Sequence, residues 1–222
     1  LKIDLPLGGA DRITASLEWL SVEAELDEVY PSPAPALLWN LAAVRSDVTG
    51  RIEVTDQDGR SKRLIQYRGT GYHDGISGGG SFYDAVSCRH WGRVHFTDCT
   101  AVFCVQKASE TNDPEASLVI SSNGSLSARE ATFVAKQVRR DKMGIRYPQR
   151  LTLVSNDDCR LQVKALKTIE SGFHNVRMLC EMTLILRDQK TRKAVGISEI
   201  VSPGNLKYRL FRWLTDLQII KE

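Results

Sequence analysis

Apolar and polar residues alternate with a period of two along most of this chain. From Ser16 to Leu26, residues Leu20, Val22, Ala24 and Leu26 fall on one side, and Ser21, Glu23 and Glu25 on the other. That alternation predicts a half-buried strand. The segment Tyr30-Pro31-Ser32-Pro33-Ala34-Pro35 reads as a loop, because its prolines lack the donor that a central strand needs. Val48, Gly50, Ile52 and Val54 alternate with Thr49, Arg51, Glu53 and Thr55; Asp56-Gln57-Asp58-Gly59 then turns the chain and Leu64 to Arg68 returns, which predicts a hairpin.

The same signal continues downstream. Arg89 to Phe96 places Trp91, Arg93 and His95 on one face and His90, Gly92, Val94 and Phe96 on the other, and Thr100 to Val105 follows as its partner strand. Leu118 to Ser121 turns at Asn123-Gly124, a strong hairpin dipeptide. Further hairpins join Leu151–Val154 to Leu161–Leu166 and Val176–Leu186 to Ala194–Val201, while Arg139-Arg140-Asp141-Lys142 reads as a solvated loop. This spacing predicts an all-β antiparallel barrel or sandwich. One departure follows Pro203-Gly204, where Leu206, Leu210, Trp213, Leu214 and Leu217 recur at helical spacing and predict a C-terminal amphipathic α-helix packed on the barrel.

Composition narrows the class without naming a partner. The 222 residues suffice for one barrel with a sizeable core, and 42% hydrophobic with 26% charged residues is an ordinary globular balance. A net charge of +3, with no basic block interleaved with aromatics, argues against nucleic acid. No apolar run is long enough to span a bilayer, and no charged-then-apolar leader opens the sequence. Five cysteines without a C-x-x-C pair point to reduced thiols, a cytoplasmic setting and no structural zinc. Gly78-Gly79-Gly80-Ser81 lacks the lysine of a phosphate loop, no G-x-S-x-G elbow is present, and no cofactor is implied.

Candidate chemistry concentrates between Tyr67 and Phe103, where three of the four histidines (His73, His90 and His95) accompany Asp74, Trp91 and a run of glycines. So many glycines are costly in an ordinary strand, since each loses backbone entropy and contributes no packing. The wording Gly69-Thr70-Gly71-Tyr72-His73-Asp74, then Trp91-Gly92-Arg93, then Thr100, Val102 and Phe103, resembles the hydroxyneurosporene synthase (carotenoid hydratase) family of lipocalin-like proteins and related cyclases. Met143-Gly144-Ile145-Arg146-Tyr147-Pro148 is a weaker echo of the same family. After Asp74 this chain has Gly75-Ile76-Ser77-Gly78 where the family pattern has His-Asn-Trp-Gly, which favours a relative with altered chemistry over a simple carotenoid hydratase.

The resemblance implies a lipocalin-like antiparallel β-barrel over residues 1–222, either standing alone or forming one half of a longer two-domain protein. It further implies a hydrophobic polyene, terpenoid or polyketide-type substrate and acid catalysis without a cofactor. A carboxylic acid among apolar groups holds its proton near neutral pH and can protonate a double bond. Asp74 is the candidate acid, with His73 orienting it or resupplying the proton. Aromatic faces stabilise a carbocation, so Tyr72, Trp91 and Tyr67 become candidate substrate contacts, with Arg93 and His95 placing water or an anionic end of the substrate. Two plainer alternatives stand beside this. Tyr72-His73-Asp74 could be a hydrogen-bonded turn with an ionised aspartate, and the barrel could be a carrier with Gly75–Gly80 as its lid. The terminal helix, with Trp213 beside Lys207, Arg209 and Arg212, would also allow peripheral membrane contact.

Overall fold

The computed structural model describes residues 1–7, 11–21, 30–31, 37–78, 85–109, 111–155, 159–188, 190–207 and 219–220. The chain divides into two compact units, one of Leu1–Glu25 with Leu41–Asp74, the other of Leu26–Asn40 with Gly75–Glu222.

The first unit is an antiparallel sheet of β1 (Lys2–Pro6), β2 (Arg12–Ser21) and the larger parts of β4 (Leu37–Thr55) and β5 (Ser61–Gly78). Strand pairing separates its faces. Ile13 lies opposite Val54, Ala15 opposite Ile52 and Trp19 opposite Val48, whereas Thr14 meets Glu53 and Ser16 meets Arg51 on the other side. The expected Asp56–Gly59 turn forms because Asp56 Oδ1 accepts the backbone N–H groups of Asp58 and Arg60 at 3.0 and 2.8 Å, and Gly59 takes a φ of 76°. The proline segment departs from its expected loop at one point: β3 (Tyr30–Pro31) pairs with Leu38 and Trp39 at the start of β4. A two-residue strand at a sheet edge tolerates proline, because its missing donor would face outward.

The second unit holds the closed barrel. Its strands are β6 (Cys88–His95), β7 (Thr100–Lys107), β8 (Glu115–Ser122), β9 (Ser125–Arg140), β10 (Arg146–Ser155), β11 (Cys159–Ser171), β12 (Asn175–Ile185) and β13 (Thr191–Val201). Each pairs antiparallel with the next, and β13 returns to pair with β6, closing eight strands. A short 3-10 helix, Pro203–Lys207, follows, and β14 (Ile219–Ile220) adds to β11 at Glu170 and Ser171. Most of the expected C-terminal helix, from Leu210 to Leu217, lies outside the described residues. The expected loop at Arg139–Lys142 is shorter than the sequence suggests. Arg139 and Arg140 end β9, opposite Tyr147 and Arg146, and Asp141 makes the turn by accepting the N–H groups of Met143 and Ile145 at 3.0 and 2.6 Å.

Inward-facing positions fill the barrel. Phe103, Leu118, Leu153, Leu161, Met182 and Leu184 are each 0% exposed, so no water-sized space adjoins them. Burial of side chains this large contributes about 1.5–3 kcal/mol apiece. Close approach is built around Gly92, where a Cβ would lie 2.6 Å from Phe103 Cε1 and 2.8 Å from the Ile197 carbonyl oxygen. Beside it His90 is buried in the same interior, its Nε2 2.6 Å from Ser198 Oγ and its ring edge-on to Phe103 at 5.3 Å between centroids. Burial alone pushes the His90 imidazole down to about 3 from its usual 6.5, so it is neutral in the folded protein.

Two outcomes follow for stability. Gly92→Ala meets both an aromatic ring and a backbone oxygen, and it should destabilise the fold by about 1–3 kcal/mol, read as a lowered urea midpoint at unchanged slope. For His90, the unfolded chain takes up a proton below about pH 6.5 while the folded chain refuses it until about pH 3. Its contribution is therefore fully present above the unfolded value and declines as pH falls through that window, by up to about 1.4 kcal/mol per pH unit. In His90→Gln the unfolding free energy should fall less steeply on acidification than in the wild type. Identical slopes in the two proteins would remove His90 as the cause.

Candidate functional site

The residues singled out by sequence fall into two groups, one in each unit. Tyr67, Tyr72, His73 and Asp74 lie along β5. Alternation acts on them as expected: Tyr72 is buried and Asp74 half-buried on one face, while His73 points to the exposed side. Tyr67 is exposed as well. Glycine at position 71 is required locally, because a Cβ there would lie 2.4 Å from the Trp19 ring and 2.6 Å from Val48 Cγ2.

Trp91, Arg93 and His95 occupy β6 and are all half-buried. They share the outward face of the barrel wall, since the alternate positions Gly92 and Val94 face the packed interior with His90. His95 Nδ1 lies 2.9 Å from Thr100 Oγ1 on β7. The outward face is itself well covered here: Thr100, Val102 and Cys104 on β7 are buried although they point away from the lumen. At the start of β6, Arg89 is buried, its guanidinium 5.1 Å from the ring centroid of Trp39 and its Nε 3.4 Å from Cys104 Sγ. A cation on an indole face, removed from water, is a favourable arrangement.

Strand register extends this outward face into a polar row. Trp91 lies opposite Glu199, Glu199 opposite Arg177, and Arg177 opposite Glu170. Glu199 is only 8% exposed. Its burial is compensated, because Arg177 donates to Glu170 at 2.9 Å and to both Glu199 oxygens at 3.3 Å, and Asn175 Nδ2 reaches Glu170 at 3.1 Å and Glu199 at 3.0 Å. One guanidinium and one amide thus hold two carboxylates, of which Glu199 is the register partner of Trp91.

The interior carries a second polar chain. Ser198 is fully buried and links His90 on β6 to Cys180 on β12, whose thiol is pushed up to about 12, chiefly by burial. A thiol so far above neutrality is not a nucleophile. Sequence reasoning names His90 but assigns a role to neither polar group. Alternation does place His90 with Gly92, Val94 and Phe96 on an otherwise apolar face, and that is the available signal for an inward histidine. Glu199, Arg177 and Glu170 are far apart in sequence and meet only through barrel register.

Among the described residues, open clefts lie elsewhere. One of about 450 Å³ runs over the first unit's sheet among Lys2, Asp4, Thr14, Arg51 and Glu53. Another of about 370 Å³ opens at the barrel rim among Ile120, Ser127, Arg129, Cys159 and Leu186. Neither includes a residue of the Tyr72-His73-Asp74 signature. Among the described residues no cluster of three or more His, Cys, Asp or Glu side chains could hold a metal ion, and no helix is long and apolar enough to cross a membrane.

Comparison with known proteins agrees with the fold and with the resemblance seen in the sequence. No family model matches the chain. It is 24% identical over 182 residues to the hydroxyneurosporene dehydrogenase of Chlorobaculum tepidum, a match that covers 80% of this chain and 47% of that protein. The chain therefore spans about half the length of this curated relative. Among solved structures it is similar to an AttH protein of Nitrosomonas europaea, with a TM-score of 0.60 and 13% identity over 90% of this chain and 68% of the other. It is also similar to CghA crystallised with Sch210972, with a TM-score of 0.58 and 10% identity over 87% of this chain and 65% of the other. The described residues thus form an all-β, lipocalin-like fold with a closed eight-stranded barrel, and the chain is distantly similar in sequence to the hydroxyneurosporene dehydrogenase of Chlorobaculum tepidum.

Proposed function

We propose that this protein is a cofactor-independent, acid-catalysed lyase, isomerase or cyclase of the hydratase type, acting on a hydrophobic polyene, terpenoid or polyketide-type substrate. The observation that carries this reading is the resemblance of Gly69–Asp74, Trp91–Arg93 and Thr100–Phe103 to the carotenoid hydratase pattern, and the similarity over 80% of the chain to hydroxyneurosporene dehydrogenase supports the substrate class. The likeness in fold to CghA, whose crystal structure contains the small molecule Sch210972, supports it. In this reading the carboxyl of Asp74 gives its proton to one carbon of a double bond. The π electrons form the new C–H bond and leave a cation on the neighbouring carbon. Tyr72, on the same strand face as Asp74, turns an aromatic surface to that charge. Water or a second double bond then captures the cation, and the proton lost in that capture, or by elimination, returns to Asp74. His73, on the exposed side of the strand, exchanges protons with solvent. Trp91, Arg93, His95 and Tyr67 are assigned to substrate contact.

The alternative is a non-catalytic carrier of a hydrophobic ligand. In either reading the ligand is not held in the middle of the barrel, which is occupied by its own side chains, from Phe103 to Met182.

The test is native mass spectrometry and organic extraction of protein purified from its own host, comparing the wild type with Asp74→Asn. The substitution keeps shape and removes the acid. Turnover should drop by about 10²–10⁴-fold, the usual worth of a general acid, and the extracted ligand should change chemical form. The same ligand in the same form from both proteins would overturn the enzymatic reading in favour of a carrier.

A further inference from the structure

We propose that the outer face of β9, β10 and β11 is a docking surface for an anionic lipid bilayer. Three neighbouring strand segments, 132–140, 146–154 and 160–166, present alternate residues to the outside, since the intervening Leu151, Leu153, Leu161 and Val163 belong to the packed interior. On that outer face Lys136 lies directly opposite Arg150, and Arg150 directly opposite Lys164. Four residues along the strands in either direction, Arg140 lies opposite Arg146, and Arg160 stands beside Val154.

Like charges directly opposed across strands are destabilising. Arg150 is flanked by a cation on both sides, and the outer positions of these three segments include no acidic residue. Lys164 has an acid within reach on the fourth strand, Glu181, at 3.9 Å. A chain whose whole net charge is only +3 thus gathers six cations on one face of three strands. An anionic surface laid against this face would supply the counter-charge that the three segments lack.

The residues between the cations indicate its source. Val134 and Val138 are 54% and 51% exposed and Val154 is exposed with them on the same face, and Leu166, 50% exposed, follows Lys164 at a bulge in β11. Aliphatic side chains set among lysines and arginines match the boundary between lipid headgroups and acyl chains, where the charged ends reach phosphate and the apolar groups enter the hydrocarbon edge. Each cation near an anionic membrane surface strengthens binding, and several on one face act together within a Debye length. The outer positions of these segments hold no aromatic side chain, so the face lacks the stacking platform expected of a single-stranded nucleic-acid binder. This inference does not depend on the catalytic reading.

Flotation with vesicles tests it, using phosphatidylcholine alone and equal parts of phosphatidylcholine and phosphatidylglycerol. The wild type should float with the anionic vesicles only and be released by molar salt. Arg150→Glu should bind roughly tenfold or more weakly. Its unfolding midpoint should hold or rise, because it replaces two like-charge neighbours with opposite ones, so lost binding cannot be laid to misfolding. Val138→Ser with Leu166→Ser should weaken binding several-fold while leaving the salt dependence intact. Failure of the wild type to float, equal flotation of the wild type and Arg150→Glu, or equally tight binding to duplex DNA or polyglutamate at the same salt would each overturn the proposal.

Discussion

Everything in the second unit depends on the pairing of β13 with β6. The other barrel contacts join strands that follow one another in the chain, so each can form as a hairpin. The closing pair is different. It joins Arg89–Arg93 to Ile197–Val201, and the His90–Ser198 hydrogen bond within it spans 108 residues of sequence. Such a contact carries the loop-closure entropy of the whole barrel before it returns any energy. What it returns is the removal of two sheet edges and a buried polar contact whose geometry fits one register. A shift by a single residue would turn His90 outward and Trp91 into the core.

The closure also brings Trp91 beside a polar row outside the wall, whose other members are aligned by the β11–β12 and β12–β13 pairings. Glu199 could not be buried at low cost without Arg177 and Asn175, and these align with it only when β12 and β13 are in register. The interior and exterior polar groups therefore check two neighbouring alignments. His90 with Ser198 checks β6 against β13 from inside, and Glu199 with Arg177 checks β13 against β12 from outside. Apolar packing by itself would tolerate neighbouring registers far better, because hydrophobic burial has no direction.

Alternation makes the barrel strands legible in the sequence itself, because a wall with one packed face imposes a period of two on its residues. The legibility extends to the Asn123-Gly124 turn, where φ values of 53° and 74° are the left-handed pair this dipeptide adopts readily. Strand ends are harder. β9 runs on to Arg140 through residues that are exposed and charged, so neither hydropathy nor burial marks the extension; pairing with β10 does. The short pairing at Tyr30–Pro31 has no sequence signal, since proline argues against central strands and says little about edges. At the candidate site the individual residues are visible in the sequence and their company is not. Trp91 and Asp74 stand out by their resemblance to a family pattern, whereas Glu199, Arg177 and Glu170 carry no local signature and become neighbours only through tertiary register.

A strand in a barrel wall has two faces that answer to different constraints, and β6 shows both. Inward, Gly92 and Val94 are fixed by the space that Phe103 and the backbone at Ile197 leave them, and His90 by the single hydroxyl within its reach. Outward, Trp91, Arg93 and His95 take no part in lumen packing and can vary with the chemistry asked of them. Proteins of this fold with 10–13% identity to this chain can share a wall, since the wall is specified by alternate residues only. A filled interior strengthens that division of labour. Since side chains and not ligand stabilise the barrel, the strand face that stays outside is where chemistry can change without unfolding the protein.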